Sequence, residues 1–141
     1  MLLKNDNIWY IYYMKKRGYK VKIEACASPD VYEIRVAFLM SEYFYSDVIL
    51  KKSNQSYSPD LYIEKVQQYW EIKNIRGNSP HTIEHNLCKG KLQSDKIIIS
   101  LLRTKMTPKR AIGRIKNELK RHSEIKCLIL VTKSGKIVEI K

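Results

Sequence analysis

The 141-residue chain is 44% hydrophobic and 29% charged, with only 5 Gly and 4 Pro, which argues against a low-complexity or linker-dominated chain and predicts one domain. Its formal net charge of +13 favours a polyanionic partner, nucleic acid first, with an acidic membrane surface or an acidic protein as the alternatives. Residues 58–141 carry 18 Lys/Arg against 8 Asp/Glu, whereas residues 1–57 carry 9 against 6, so the excess lies in the second part. No apolar run approaches the roughly 20 residues of a membrane span, so no membrane-spanning segment is expected, and nucleic acid is preferred to a membrane as partner. The start, MLLKNDN, places a charge and polar residues where a secretory signal needs an apolar core. Cys26, Cys88 and Cys127 form no CxxC or Cys/His ligand spacing, which disfavours zinc and a disulfide framework. Cys127 lies in the apolar run CLILV and is expected to be a buried thiol. The reducing cytoplasm is the expected place of action.

Taken in chain order, Ile8–Met14 is aromatic and β-branched, Lys15–Gly18 reads as a turn, and Tyr19–Ala25 alternates, which together predict a β-hairpin. Residues 1–28 therefore form a hairpin-like extension to a core at 29–141. Ser28-Pro29-Asp30 opens a helix to about Tyr45, with Ser28 as N-cap and Asp30 and Glu33 at the positive end of its dipole. Ile34, Ala37, Phe38 and Ser41 repeat at helical spacing. Asp47–Lys52 is a short strand and Ser53–Ser56 a polar loop.

Leu61–Ile63 and Tyr69–Lys73 read as two strands joined by the polar turn Glu64–Gln68, which has no glycine. Thr82–Leu92 is helical, with Ile83, Asn86, Leu87 and Gly90 on one side. Lys96–Leu102 is the β-branched run expected of a central buried strand. Thr107 and Pro108 start a helix as N-cap and first residue, with Ala111, Ile112, Ile115 and Leu119 as its core stripe. Lys109, Arg110, Arg114, Lys116, Lys120 and Arg121 cover its remaining surface, the expected footprint on a phosphate backbone; a solvated face is the alternative. Ile125–Thr132 and Ile137–Ile140 close the chain as strands around the turn Lys133–Lys136. Strands alternating with helices predict an α/β fold with a mixed central β-sheet flanked by helices.

The chemistry-bearing residues cluster in SPDLYIEKVQQYWEIKN, residues 58–74. Alternate side chains of a strand share a face, so Glu71 and Lys73 point one way and Ile72 the other. Pairing of the preceding strand beside it would bring Asp60 towards Glu71. Two carboxylates can hold a hard cation such as Mg2+, which polarises a phosphate, and a lysine beside them can orient the attacking group or stabilise developing charge. The same ExK pattern also occurs on ordinary exposed strands. His81 and His85, four apart at a helix start, could share a face and supply a base, although such histidines are more often surface or capping residues. His122 suits the negative end of the basic helix.

A leading helix with a glutamate, then strand-PD-turn-strand-ExK, helix and strand, is similar to the PD-(D/E)xK nuclease superfamily. WEIKN, TIEHNL, KGKLQSDKIIIS, AIGRIKNELKR and IKCLILVTKSGKIVEIK together resemble the C-terminal tRNA-nuclease toxin domain of CdiA-type contact-dependent growth inhibition proteins. The resemblance covers roughly residues 29–141. It implies a restriction-endonuclease-like fold and a Mg2+-dependent ribonuclease cutting tRNA, neutralised by an acidic cognate immunity protein. By the same resemblance Asp60, Glu71 and Lys73 match the motif, and Glu33 matches the helix glutamate that joins Asp60 and Glu71 on the metal. Thr82, Asn86, Gln93 and Ser94 match polar positions implied to touch substrate, the alternative being helix caps and hydrogen bonds between layers. A DNA endonuclease of resolvase or restriction type, and a non-catalytic nucleic-acid-binding protein, are the competing readings. Monomer and dimer are both compatible with the sequence.

Overall fold

The computed structural model describes the backbone of residues 2–5, 8–13, 18–52 and 58–141, and the side chains of 18–52 and 58–141. The expected turn residues Lys15–Arg17 and the loop Ser53–Ser56 lie outside the described residues. The chain divides into two compact units, Met1–Trp70 and Glu71–Lys141.

In the first unit β1 (Leu2–Asn5), β2 (Ile8–Tyr13) and β3 (Lys20–Glu24) form an antiparallel meander. The hairpin of β2 and β3 agrees with the sequence, whereas β1 was not anticipated, because LLKN lacks the alternation that marks a strand. α1 (Val31–Phe44) carries the chain from β3 to the parallel strand β4 (Val48–Leu50). β5 (Leu61–Ile63) pairs antiparallel with β4 and with the start of β6 (Gln68–Asn74), in the register Leu61↔Trp70 and Ile63↔Gln68. The glycine-free turn is closed by Gln67, whose φ of 51° is left-handed.

The N-cap of α1 is Asp30 rather than Ser28: its carboxylate accepts from the backbone N–H groups of Tyr32 and Glu33 at 2.9 and 2.8 Å. Asp30 competes successfully because its acceptor reaches both of those N–H groups. The buried stripe of α1 is Val36, Ala37, Met40 and Ser41, so Ile34 and Phe38 lie at its margins. These residues join Val21, Ile23, Val48, Leu50, Leu61 and Ile63 as buried core. Lys22 on β3 reaches Glu64 at 2.7 Å and Asp47 at 3.6 Å.

In the second unit the end of β6 pairs parallel with β7 (Lys96–Ser100), β7 pairs parallel with β8 (Cys127–Val131), and β9 (Ile137–Glu139) returns antiparallel along β8. α2 (Thr82–Gly90) and α3 (Pro108–Leu119) connect the parallel strands. Ile97, Ile99, Leu128 and Leu130 pack with Ile83 and Leu87 of α2 and Ala111 and Ile115 of α3. Continuous apolar runs are what a parallel strand buried on both faces demands, and Ile97–Ile99 and Leu128–Val131 are all buried. Cys127, at the start of β8, is half-buried, so the expected burial of its thiol is incomplete.

α3 starts as read from the sequence. Thr107 Oγ1 accepts from the backbone N–H of Arg110 at 3.3 Å, and Pro108 occupies the first turn. Thr107→Ala should cost about 1 kcal/mol of stability, read as a lower midpoint in denaturant unfolding at unchanged slope.

Candidate functional site

Glu33 follows directly from the cap of α1. It lies three residues before Val36 and four before Ala37, both buried, so its side chain is half-buried on the packed side of the helix. That helical spacing was visible in the sequence and gives Glu33 a position distinct from an exposed dipole charge. Burial, then the charges of Asp60 and Asp30, push its carboxyl up to about 7, against a lowering backbone hydrogen bond at Asp30. Asp60 is half-buried just before β5, and its carbonyl accepts from the N–H of Lys51 at 2.8 Å. The first unit thus brings Glu33 and Asp60 into electrostatic contact.

In the second unit Glu71 is fully buried, and its Oε2 stands 2.8 Å from Lys73 Nζ, as two residues on one face of β6 allow. Lys73 Nζ also donates to Gln93 Oε1 at 2.6 Å. Gln93 lies in the turn after α2, so the structure places it as a partner that orients the lysine. Gly90 packs against β7 and the lysine stem: a Cβ there would stand 3.1 Å from Ile97 Cδ1, a tight contact, and 3.5 Å from Lys73 Cε, an ordinary one. Ser94 has a backbone role, accepting from the N–H of Lys96 at 3.1 Å where β7 begins.

Thr82 and Asn86 line a concavity of about 500 Å3 with Asn74, Arg76, Gly77, Ser79, His81 and His85. Asn86 donates its amide to the Thr82 carbonyl at 2.8 Å, and Thr82 Oγ1 is 3.1 Å from Ser79 Oγ. Lys109, Arg110 and Arg114 line a second groove on α3, of about 440 Å3, with Lys116 exposed on the same helix. Arg110 and Arg114 also hold the loop before α2, on Asn78 Oδ1 at 3.0 Å and the Ser79 carbonyl at 2.7 Å. These tethers went unread in the sequence, since residues 32 and 35 positions apart carry no local signal. His122 lies just past the end of α3, as read from the sequence, and is buried between Glu118 and Lys91, 3.5 Å and 3.1 Å away.

Among the described residues no group of three or more His, Cys, Asp or Glu side chains is gathered to hold a metal ion. Mg2+ needs fewer, since it keeps several waters and is held through one or two carboxylates. Glu33 and Asp60 are hard oxygen donors of the type such a cation takes; after burial, the charge of Asp60 is the next cause of the raised Glu33 carboxyl, a charge that a cation would offset.

The fold is similar to that of a solved chain from the CdiA-CT/CdiI toxin and immunity complex of Burkholderia pseudomallei, with a TM-score of 0.56, 18% identity, and coverage of 81% of this chain and 89% of that one. No curated protein matches the sequence. The sequence itself carries the assignment further than the fold does. Residues 57–137, which include the hairpin of β5 and β6, the Glu71–Lys73 pair, both later helices and the parallel strands, match the family described as Contact-dependent growth inhibition CdiA C-terminal domain, and the chain belongs to that family.

Proposed function

We propose that this domain is the toxin of a contact-dependent growth inhibition system and acts in the cytoplasm of a target cell as a Mg2+-dependent ribonuclease on tRNA. The observation that carries the reading is the pairing of buried Glu71 with half-buried Lys73, which also reaches Gln93; Glu71, Lys73 and Gln93 all lie inside the family-matched segment. A lysine whose ammonium is held by a carboxylate and an amide oxygen is a preorganised cation, suited to charge that develops on a phosphate. On this reading Glu33, Asp60 and Glu71 are the oxygen donors assigned to the cation, in keeping with a PD-(D/E)xK nuclease. When bound, the cation supplies Lewis-acid polarisation of the phosphate. Lys73 orients the attacking group or stabilises negative charge, and Gln93 fixes where its ammonium stands.

The +13 charge supports a polyanionic substrate, with Lys109 and Lys116 as phosphate contacts and Arg110 and Arg114 at the edge of the same surface. An acidic immunity protein is the proposed cognate partner, supported by the similar fold having been solved in a toxin and immunity complex. Incubation with total tRNA and with plasmid DNA, in Mg2+ or EDTA, tests the assignment. Discrete tRNA fragments that require Mg2+ are the expected result, and cleavage of DNA alone would replace the tRNA reading with the endonuclease one. Asp60→Ala should abolish cleavage and leave tRNA binding equal or tighter, because a carboxylate repels phosphate unless a cation lies between them. Weaker binding with unchanged cleavage would remove Asp60 from the site.

A further inference from the structure

The concavity at the start of α2 is built with more scaffolding than a surface loop requires. Its wall is the segment 75–80, between β6 and α2. The Ile75 N–H donates to the Ser100 carbonyl at 3.2 Å, and the buried Thr104 hydroxyl donates to the Gly77 carbonyl at 2.7 Å. Arg110 holds Asn78 and Arg114 holds Ser79 from α3. Gly77 lets the wall lie close to α2, since a Cβ there would fall 2.7 Å from Thr82 Oγ1 and displace that hydroxyl. Successive residues of this wall are therefore fixed from three directions, by β7, by the segment after it and by α3. A loop held this tightly costs little further ordering entropy when it meets a ligand.

The lining is rich in donors, with one carboxylate beside it, Glu84 Oε2, 3.4 Å from His81 Nδ1. Arg76, His81 and His85 are exposed at the concavity, and Thr82, Ser79 and Asn86 add hydroxyl and amide groups. Arg and protonated His are donors suited to a phosphate, and hydroxyl and amide groups suit a ribose or base edge. The concavity is open to solvent and its volume of about 500 Å3 is enough to seat one nucleotide of a longer chain. Arg110 and Arg114 both brace this wall and line the groove on α3, so the two concavities adjoin through one set of side chains.

We propose that this concavity is a recognition subsite for one nucleotide of the substrate RNA, outside the bond that is cut. Arg76, His81 and His85 receive its phosphate, Thr82 and Asn86 meet its sugar or base, and Arg110 and Arg114 are positioning residues that hold the wall. This rests on the ribonuclease reading and goes beyond it by separating selection of the RNA from the chemistry at Lys73.

The test is a titration of the nitrogen-labelled Lys73→Ala protein with a short single-stranded RNA in EDTA, followed by amide chemical shifts, with inorganic phosphate as competitor. Shifts should concentrate in residues 75–86 and affinity should fall about tenfold in Arg76→Ala and again in His85→Ala. Phosphate should displace the RNA only at much higher concentration if a nucleotide, rather than a free anion, is the ligand. Arg114→Ala should weaken binding without touching the RNA, and Arg114→Lys should restore part of it. Shifts elsewhere, or an affinity indifferent to Arg76 and His85, would overturn the proposal. Parallel cleavage by the unmodified protein separates the two readings. RNA bound here but never cut would sink the ribonuclease assignment and leave the subsite standing, whereas RNA cut with no response in residues 75–86 would do the reverse.

Discussion

Replacing Lys73 with alanine should lower the rate of tRNA cleavage by about 10²–10⁴-fold, the range expected when a positioned group that moves a proton or meets developing charge is removed. The loss should fall on kcat, because nothing in the proposed role of Lys73 binds the ground state more tightly than the transition state. Lys73→Arg should recover little. A planar guanidinium cannot reproduce a compact ammonium held 2.8 Å from Glu71 and 2.6 Å from Gln93. Gln93→Ala should lie between wild type and Lys73→Ala, since the lysine keeps Glu71 but loses the acceptor that orients it. Because Glu71 is fully buried, Lys73→Ala also removes its nearest cation and should lower the melting temperature. Single-turnover cleavage, with melting curves on the same samples, separates the two effects. A folded Lys73→Ala protein that cuts tRNA within a few-fold of wild type would remove the lysine from the chemistry.

Glu33 should make both stability and cation affinity depend on pH near neutrality. Its carboxyl, raised from the ordinary 4.5 to about 7, keeps its proton in the folded state where the unfolded chain has released it. The stabilisation from this tighter proton is fully present below about pH 4.5 and is lost as pH rises through about 7, so without a cation stability falls across that window. Glu33→Gln should abolish the dependence. At pH 8 it should be more stable than wild type by about 1 kcal/mol, a figure reduced for the half-exposed position. Mg2+ reverses the sign: it competes with the proton, so the wild type should gain stability from Mg2+ at pH 8 and little at pH 5. Melting curves at both pH values, in EDTA and in Mg2+, read all four states. Parallel responses of wild type and Glu33→Gln would separate Glu33 from the cation.

Much of the second unit could be read along the chain. Thr107 and Pro108 start α3, Ile97–Ile99 form a buried parallel strand, and the end of β6 places Glu71 and Lys73 on one face. Each depends on neighbours within a few positions: a cap and the next turn, an apolar run, a period of two. The cap of α1 was misplaced by two residues because Ser28 and Asp30 are both competent, and only the helix's own N–H groups choose between them.

What the sequence by itself determined is the family, the kinds of element and the chemical types available to a site, because these follow from local periodicity and from residue identity. The tertiary structure decided which of those side chains meet. Gln93 lies 20 positions from Lys73, Arg114 lies 35 from Ser79, and the charge of Asp60 bears on Glu33 across a strand and a helix. Such pairings are set by how helices pack on strands, where ordinary polar residues far apart in the chain are brought within hydrogen-bond reach. A carboxylate near pH 7, an oriented lysine and a braced concavity are therefore properties of the packed molecule and of no single stretch of its sequence.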